Sequence, residues 1–148
     1  MNGTLFDAKV VLDHYRTVLG PPSRTIEAGG PAPVGHRNNQ VHLFDDAGIY
    51  LTEHHATRLV ESVNFVLDVS ESVFPLEEAF SGSLTVFGLP MYADMKEKDV
   101  PSLFQRDLPG EYSVAGEKCW VSISTIGHRS PSGRRSKPRY VVSVSVSF

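Results

Sequence analysis

Apolar and polar residues alternate most regularly at the end of the chain. Over residues 140–148, one set of alternate positions is apolar or aromatic and the other is mostly serine. The first set is Tyr140, Val142, Val144, Val146 and Phe148, and the second is Val141, Ser143, Ser145 and Ser147. Successive side chains of a strand point to opposite faces, so this pattern predicts a β-strand with one buried face. Residues 118–126 predict its antiparallel partner, and residues 128–139 form the long tip of this hairpin.

A second hairpin is predicted over residues 39–51. Residues 41–44 are typical of an extended strand, residues 45–48 (Asp-Asp-Ala-Gly) provide the reversal, and residues 49–51 begin the return strand. Aspartate side chains bond to nearby backbone in turns, and glycine accepts positive φ angles. We expect this hairpin to lie near the middle of an antiparallel sheet.

The first element is predicted to be a helix over residues 7–19. Asp7 is a suitable N-cap, because its carboxylate can accept a hydrogen bond from a free amide of the first turn. Apolar residues recur at helical spacing at Ala8, Val11, Leu12, Tyr15, Val18 and Leu19. Gly20 and Pro21 end the helix.

Further strands are predicted over residues 59–69 and 83–87, with a short edge strand over residues 23–27. Together these elements indicate an α+β fold, in which one N-terminal helix packs on an antiparallel sheet of about six strands. A chain of 148 residues suits a single domain, residues 1–148, with its own core.

The composition is that of a globular protein, with 41% hydrophobic and 21% charged residues. No apolar run approaches the ~20 residues that span a bilayer, and the N-terminus lacks the features of a signal peptide. We therefore expect a cytoplasmic protein that does not bind membranes. The single cysteine, Cys119, excludes an intrachain disulfide and a zinc site built on cysteines.

The net charge of −3 hides an uneven distribution. Residues 128–139 contain five basic residues and no acid, and removing these charges leaves −8 for the rest of the chain. Between Asp45 and Asp99, eleven acids face three bases. This distribution argues against nucleic acid as a ligand and favours a partner protein with a basic surface.

The most tempting catalytic or metal site comprises Asp45, Asp46, Glu53 and His54. These side chains could form a small hydrolase site if the central hairpin brought them together, but the aspartates are more typical of a turn. His54 and His55 are adjacent, so on a strand they point to opposite faces and cannot easily share a metal. No Gly-x-Ser-x-Gly elbow or phosphate-binding loop is present. We expect no catalytic residues, no metal and no cofactor.

Three phrases together resemble a known bacterial domain family. They are Leu-Gly-Pro-Pro-Ser-Arg at residues 19–24, Leu-Phe-Asp-Asp-Ala-Gly-Ile at residues 43–49, and Phe-Ser-Gly-Ser-Leu-Thr-Val-Phe-Gly at residues 80–88. That family has no known biochemical activity and occurs in polymorphic-toxin and type VI secretion loci, where many proteins are immunity proteins. The resemblance implies a non-enzymatic protein that binds and occludes a cognate secreted toxin. An effector adaptor or chaperone is the alternative.

Partner contacts are expected from acidic and aromatic side chains of the central hairpin and from the basic tip. The predicted contact residues are Asp45, Asp46, Tyr50, Glu53, Arg129, Arg134 and Arg135.

Overall fold

The computed structural model describes residues 10–27, 39–129 and 135–148. In this part of the chain there are one α-helix, α1 (Leu12–Leu19), and ten β-strands. The strands are β1 (Arg24–Ile26), β2 (Asn39–Phe44), β3 (Ile49–His54), β4 (Val60–Val66), β5 (Leu84–Val86), β6 (Leu89–Met91), β7 (Gln105–Leu108), β8 (Glu111–Ala115), β9 (Trp120–Arg129) and β10 (Arg135–Ser147). Short 3-10 helices occur at Asp45–Ala47, Val69–Glu71 and Glu97–Asp99.

Eight strands form one antiparallel sheet in the order β1-β2-β3-β4-β10-β9-β8-β7. The strands β5 and β6 form a separate hairpin. Because β10 pairs with both β4 and β9, the C-terminal strand joins the first four strands of the sheet to the last three. None of the helices in the described residues is long and apolar enough to cross a membrane.

The two faces of the sheet differ in composition. One row of paired residues runs through Ile49, Phe65, Val144 and Ile123 on the face that carries the main core. Leu12 and Tyr15 of α1, together with Leu84 and Val86 of β5, belong to the same core cluster. The neighbouring row runs through Leu43, Tyr50, Asn64, Ser145 and Ser122 on the other face. There, Phe74 and Leu76 cover the end near Tyr50.

The predicted fold class was wrong. The described residues are mostly β, with one short helix and ten strands rather than a helix on about six strands. The strands β6, β7 and β8 were not predicted. All four residues of β7 are exposed, so its sequence has no alternation of apolar and polar positions. The strand β6 contains Pro90, and proline argues against a strand.

The helix is also shorter than predicted. It begins at Leu12, with Val11 in an extended conformation as the N-cap. The chain before it runs beside β4, where Val11 bridges to Leu59 and the Val60 amide donates to the Val10 carbonyl. These contacts hold residues 10 and 11 out of the helix. The predicted N-cap, Asp7, lies outside the described residues.

The predicted hairpins and edge strand are confirmed, but the 39–51 hairpin forms the second and third of eight strands, beside the edge strand, and does not lie in the middle of the sheet. The central reversal occurs at residues 45–48, and Gly48 has the left-handed conformation expected there, with φ of 64°. The strands of the C-terminal hairpin extend further into the basic tip than predicted, because Arg135 pairs with Arg129. A register shift between Val141 and Ser143 buries both Val141 and Val142, which interrupts the predicted alternation.

Candidate functional site

Asp45 is held by an arginine from a distant part of the chain. Arg24 donates from Nε to Asp45 Oδ2 at 2.8 Å and from a terminal nitrogen to Asp45 Oδ1 at 2.7 Å. Ser23 Oγ accepts a hydrogen bond from the Asp45 amide at 3.1 Å. The hydrogen bond from Arg24 holds the pKa of Asp45 below its usual range. This two-pronged contact fixes β1 to the end of β2, and both carboxylate oxygens of Asp45 accept hydrogen bonds from Arg24.

Gly48 allows a second close approach at the same end of the hairpin. A Cβ atom at Gly48 would lie 2.0 Å from the amide nitrogen of Phe80. The Phe80 amide donates to the Val66 carbonyl at 2.7 Å, and its ring packs edge-on against Phe65 with centroids 5.1 Å apart. The three phrases of the sequence resemblance therefore meet here, through Arg24, the 45–48 reversal and Phe80. Their role at this junction is packing and hydrogen bonding.

The side chains of the suggested hydrolase site are not brought together. Asp45 follows the end of β2, whereas Glu53 pairs with Gln40, five residues earlier. A strand rises ~3.3 Å per residue, so the two carboxylates belong to parts of the hairpin about 16 Å apart. His54 Nδ1 instead accepts a hydrogen bond from the Thr57 amide at 3.3 Å. Among the described residues, no group of three or more His, Cys, Asp or Glu side chains could hold a metal ion.

Glu53 belongs to a polar network on the main-core face. Its Oε2 lies 3.1 Å from His42 Nε2, and its Oε1 lies 2.7 Å from Arg58 Nε. Only 1% of Glu53 and 3% of His42 is exposed. On the other side of the imidazole, Thr25 Oγ1 lies 3.0 Å from His42 Nδ1. Arg58 donates a hydrogen bond to Gln40, which in turn donates to Glu27.

The sequence interpretation missed His42. It lies inside the apolar strand 41–44 and was passed over in favour of His54, which is next to Glu53 in the sequence. The hairpin register offered a way to find it. His42 pairs with Leu51, so Glu53, two residues further along the same strand, lies on the same face.

The predicted contact residues differ in their access to a partner. Asp45, Tyr50 and Glu53 are buried, and Tyr50 packs against Phe74 with ring centroids 5.0 Å apart. Burial raises the pKa of Tyr50 to about 12. Asp46 is exposed. Partner binding remains a prediction for the whole set, but a direct contact in this conformation requires an exposed side chain.

The basic members of that set lie in or beside the C-terminal hairpin. The backbones of Arg129 and Arg135 are paired at the ends of β9 and β10, and their side chains are outside the described part of the structure. Arg134 lies outside the described residues.

An acidic cleft lies beside the β9–β10 ladder, close to its tip, where Ile126 pairs with Tyr140. Its volume is about 490 Å³, and three carboxylates line it. The lining residues are Leu67, Asp68, Val69, Ser70, Glu71, Ala79, Asp94, Ile126, Gly127, Tyr140, Val141 and Val142. None of these is basic, so the cleft combines apolar walls with a net negative charge.

Backbone features hold two of these acids in place. Asp94 has a φ angle of 65°, a left-handed conformation that aspartate tolerates better than most residues. The Asp68 side chain accepts hydrogen bonds from the Ser70 amide at 3.0 Å and the Ser70 hydroxyl at 2.7 Å. The carboxylates are thus presented on short, defined turns beside the sheet.

One family model matches the chain, over residues 1–100, and its description is "Domain of unknown function (DUF7738)". The match includes α1, the strands β1 to β6 and the junction of Arg24, Asp45, Gly48 and Phe80. No curated protein and no solved structure matches the chain. Because the matched residues make up more than half of the 148, the chain belongs to the DUF7738 family of domains of unknown function.

Proposed function

We propose that this protein acts by binding another protein, and that its partner is a cognate secreted toxin which it occludes. The observation that carries this proposal is the acidic cleft lined by Asp68, Glu71 and Asp94. A concave, negatively charged surface with apolar walls suits a basic side chain of a partner, because charge complementarity gives both orientation and a faster encounter.

The charge distribution of the whole chain supports the same interpretation. Eleven acids and three bases lie between Asp45 and Asp99, and the cleft is built mainly from that stretch. A basic partner would therefore meet a favourable potential before it reached the cleft. The likeness of the three sequence phrases to proteins of toxin loci supports a toxin as the partner.

The site of action we propose is the cytoplasm, where an immunity protein meets a toxin delivered into or made in the cell. Asp46, Arg129, Arg134 and Arg135 are further proposed contacts, from the sequence prediction. Three of the predicted contact residues have buried side chains and would stabilise the binding surface without touching the partner. They are Asp45, Tyr50 and Glu53.

Co-expression with the toxin encoded beside this gene tests the proposal. Cells that produce the toxin alone should stop growing, and cells that also produce this protein should grow. The protein with Asp68→Asn, Glu71→Gln and Asp94→Asn should protect poorly, since these changes remove charge with little change of shape. Asparagine also tolerates the left-handed backbone at position 94.

A matched control variant carries Glu77→Gln, Asp99→Asn and Glu117→Gln. These three acids are exposed and do not line the cleft, and the change in net charge is the same. The control should protect as well as the wild type. A neighbouring toxin whose effect on growth is unchanged by this protein would refute the proposal. A stable complex without protection would instead identify an adaptor or chaperone.

A further inference from the structure

Thr25, His42 and Glu53 form a continuous chain of hydrogen-bonding groups across three adjacent strands. Thr25 Oγ1 lies 3.0 Å from His42 Nδ1, and His42 Nε2 lies 3.1 Å from Glu53 Oε2. Arg58 Nε is 2.7 Å from the other carboxylate oxygen of Glu53. A hydroxyl, an imidazole and an oriented carboxylate in this order are the components that activate a nucleophile in acyl-transfer enzymes.

The charges define the tautomer of His42. Glu53 lies between Arg58 and His42, and a carboxylate in this position accepts hydrogen bonds from both sides, so His42 Nε2 carries the hydrogen and donates it. His42 Nδ1 is then the bare acceptor, and it faces the Thr25 hydroxyl. Burial is the largest effect on His42 and lowers its pKa, which keeps the ring neutral and able to accept a proton.

The three groups differ sharply in exposure. His42 and Glu53 are almost completely buried, whereas Thr25 is exposed on β1, at the edge of the sheet. Alternate amides of an edge strand point away from the sheet, so either the Thr25 amide or those of its two neighbours point outward. Such an amide can donate to an oxyanion that forms at a carbonyl attacked by Thr25.

Arg58 is held in an unusual backbone conformation. Its φ angle is 60°, in the left-handed region that arginine rarely adopts, and more than half of its side chain is exposed. Its guanidinium nevertheless reaches the buried carboxylate of Glu53. Strained residues of this kind occur where the position of a side chain matters for function. We assign Arg58 and Glu53 as positioning residues for His42.

We propose that Thr25 is an activated nucleophile that accepts the acyl group of a small ester. Its oxygen attacks the ester carbonyl while its proton passes to His42 Nδ1. The bond to the alkoxy leaving group then breaks, and His42 returns the proton to the departing alcohol. The product is an acyl ester on Thr25, which water can hydrolyse by the same proton transfers. This activity goes beyond the proposed binding function and does not depend on it.

The test uses the full chain and p-nitrophenyl acetate as the probe. Intact-mass analysis and peptide mapping should find one acetyl group on Thr25. Thr25→Val should abolish this adduct, and Thr25→Ser should retain it. Thr85→Val is the matched control, because Thr85 is also exposed on a short strand and has no histidine partner among the described residues. It should be acetylated at Thr25 like the wild type.

A pH profile separates activation from a purely structural role of the network. Acetylation of Thr25 should become faster as pH rises through the pKa of His42 and then level off, and His42→Gln should remove this dependence. Absence of acetyl on Thr25 in the wild type would overturn the proposal. Acetylation of Thr25 that does not depend on pH or on His42 would overturn it as well.

Discussion

At the scale of single residues, two contacts between distant positions hold the central hairpin. Arg24 donates two hydrogen bonds to Asp45 at the turn end of the β2–β3 hairpin. Glu53 lies between His42 and Arg58 towards the open end of this hairpin. In both cases a nearly buried carboxylate is matched by an arginine whose own side chain is partly exposed. Removing the arginine leaves a buried charge without its partner, and this lowers stability more than replacing both members of such a pair.

Arg24→Ala should therefore lower the free energy of unfolding by about 1–2 kcal/mol, a figure reduced because Arg24 is 43% exposed and screened by water. Urea unfolding followed by circular dichroism measures it. Adding Asp45→Asn to Arg24→Ala should recover part of the loss, because it removes the unpaired charge. Equal stability of Arg24→Ala and wild type would show that the pair contributes nothing to the fold.

His42 should make stability depend on pH. Burial lowers its folded-state pKa below the ordinary value of 6.5, so the folded protein binds fewer protons at this site than the unfolded chain. The contribution of His42 to the free energy of unfolding is thus complete above about pH 6.5. It is lost as pH falls from there through the folded-state pKa of His42. Urea unfolding at a series of pH values should show that the free energy of unfolding of the wild type falls as pH is lowered over this range. The fall should be smaller in His42→Gln. Identical slopes would contradict the assignment.

At the scale of secondary-structure elements, the reversal between β2 and β3 is also a packing surface. Its Gly48 lies directly against the backbone at Phe80, which precedes the β5–β6 hairpin. The reversal thus determines how closely that hairpin approaches the sheet. The left-handed conformation and the lack of a side chain are both required at this position.

Two glycine substitutions separate these requirements. Gly48→Ala should cost at least ~3 kcal/mol of stability or prevent folding, because the new Cβ would lie 2.0 Å from the Phe80 nitrogen. Gly88→Ala is the matched control. It has a φ of 78° but no atom within 4 Å of the new Cβ, so it should cost only about 1 kcal/mol of backbone strain. Thermal unfolding of both variants measures the difference, and similar melting temperatures would contradict the close approach.

The elements that could be predicted from the sequence are those with a clear local signal. The C-terminal hairpin has a long alternating strand, and the 39–51 hairpin, although buried on both faces, has a turn sequence between two apolar strands; both were found. The strand β7 has no buried face, and the short α1 spans only part of the apolar stripe that suggested a longer helix. The strand β7 is defined by backbone pairing with β8 alone, and the start of α1 is defined by the bridge from Val11 to Leu59. Such backbone contacts leave little trace in the local sequence.

The site was less predictable than the fold, for a related reason. His42 and Glu53 are eleven positions apart, and Arg24 and Asp45 are twenty-one apart, so neither pair appears as a motif. The aspartates of the reversal were expected to bond with their own backbone. Asp45 instead bonds to Arg24, because β1 runs beside β2 and places the guanidinium there.

At the scale of the whole molecule, the binding region that we propose combines negative charge with a concave shape. The acidic stretch of the chain supplies Asp68, Glu71 and Asp94 to the cleft beside β9 and β10, and the tip that joins these strands is basic. The cleft also joins parts of the chain on both sides of residue 100, where the family match ends. We propose that this cleft binds a basic surface of a partner protein.

The most direct test is the dissociation constant for the toxin encoded beside this gene, measured by isothermal titration calorimetry at low and at physiological salt. The cleft variant with Asp68→Asn, Glu71→Gln and Asp94→Asn should bind at least about tenfold more weakly than the wild type, or ~1.4 kcal/mol. The control variant with Glu77→Gln, Asp99→Asn and Glu117→Gln should bind within about twofold of the wild type, because rim and distant charges contribute little at physiological salt. Equal weakening by both variants, or no binding by the wild type, would contradict the account.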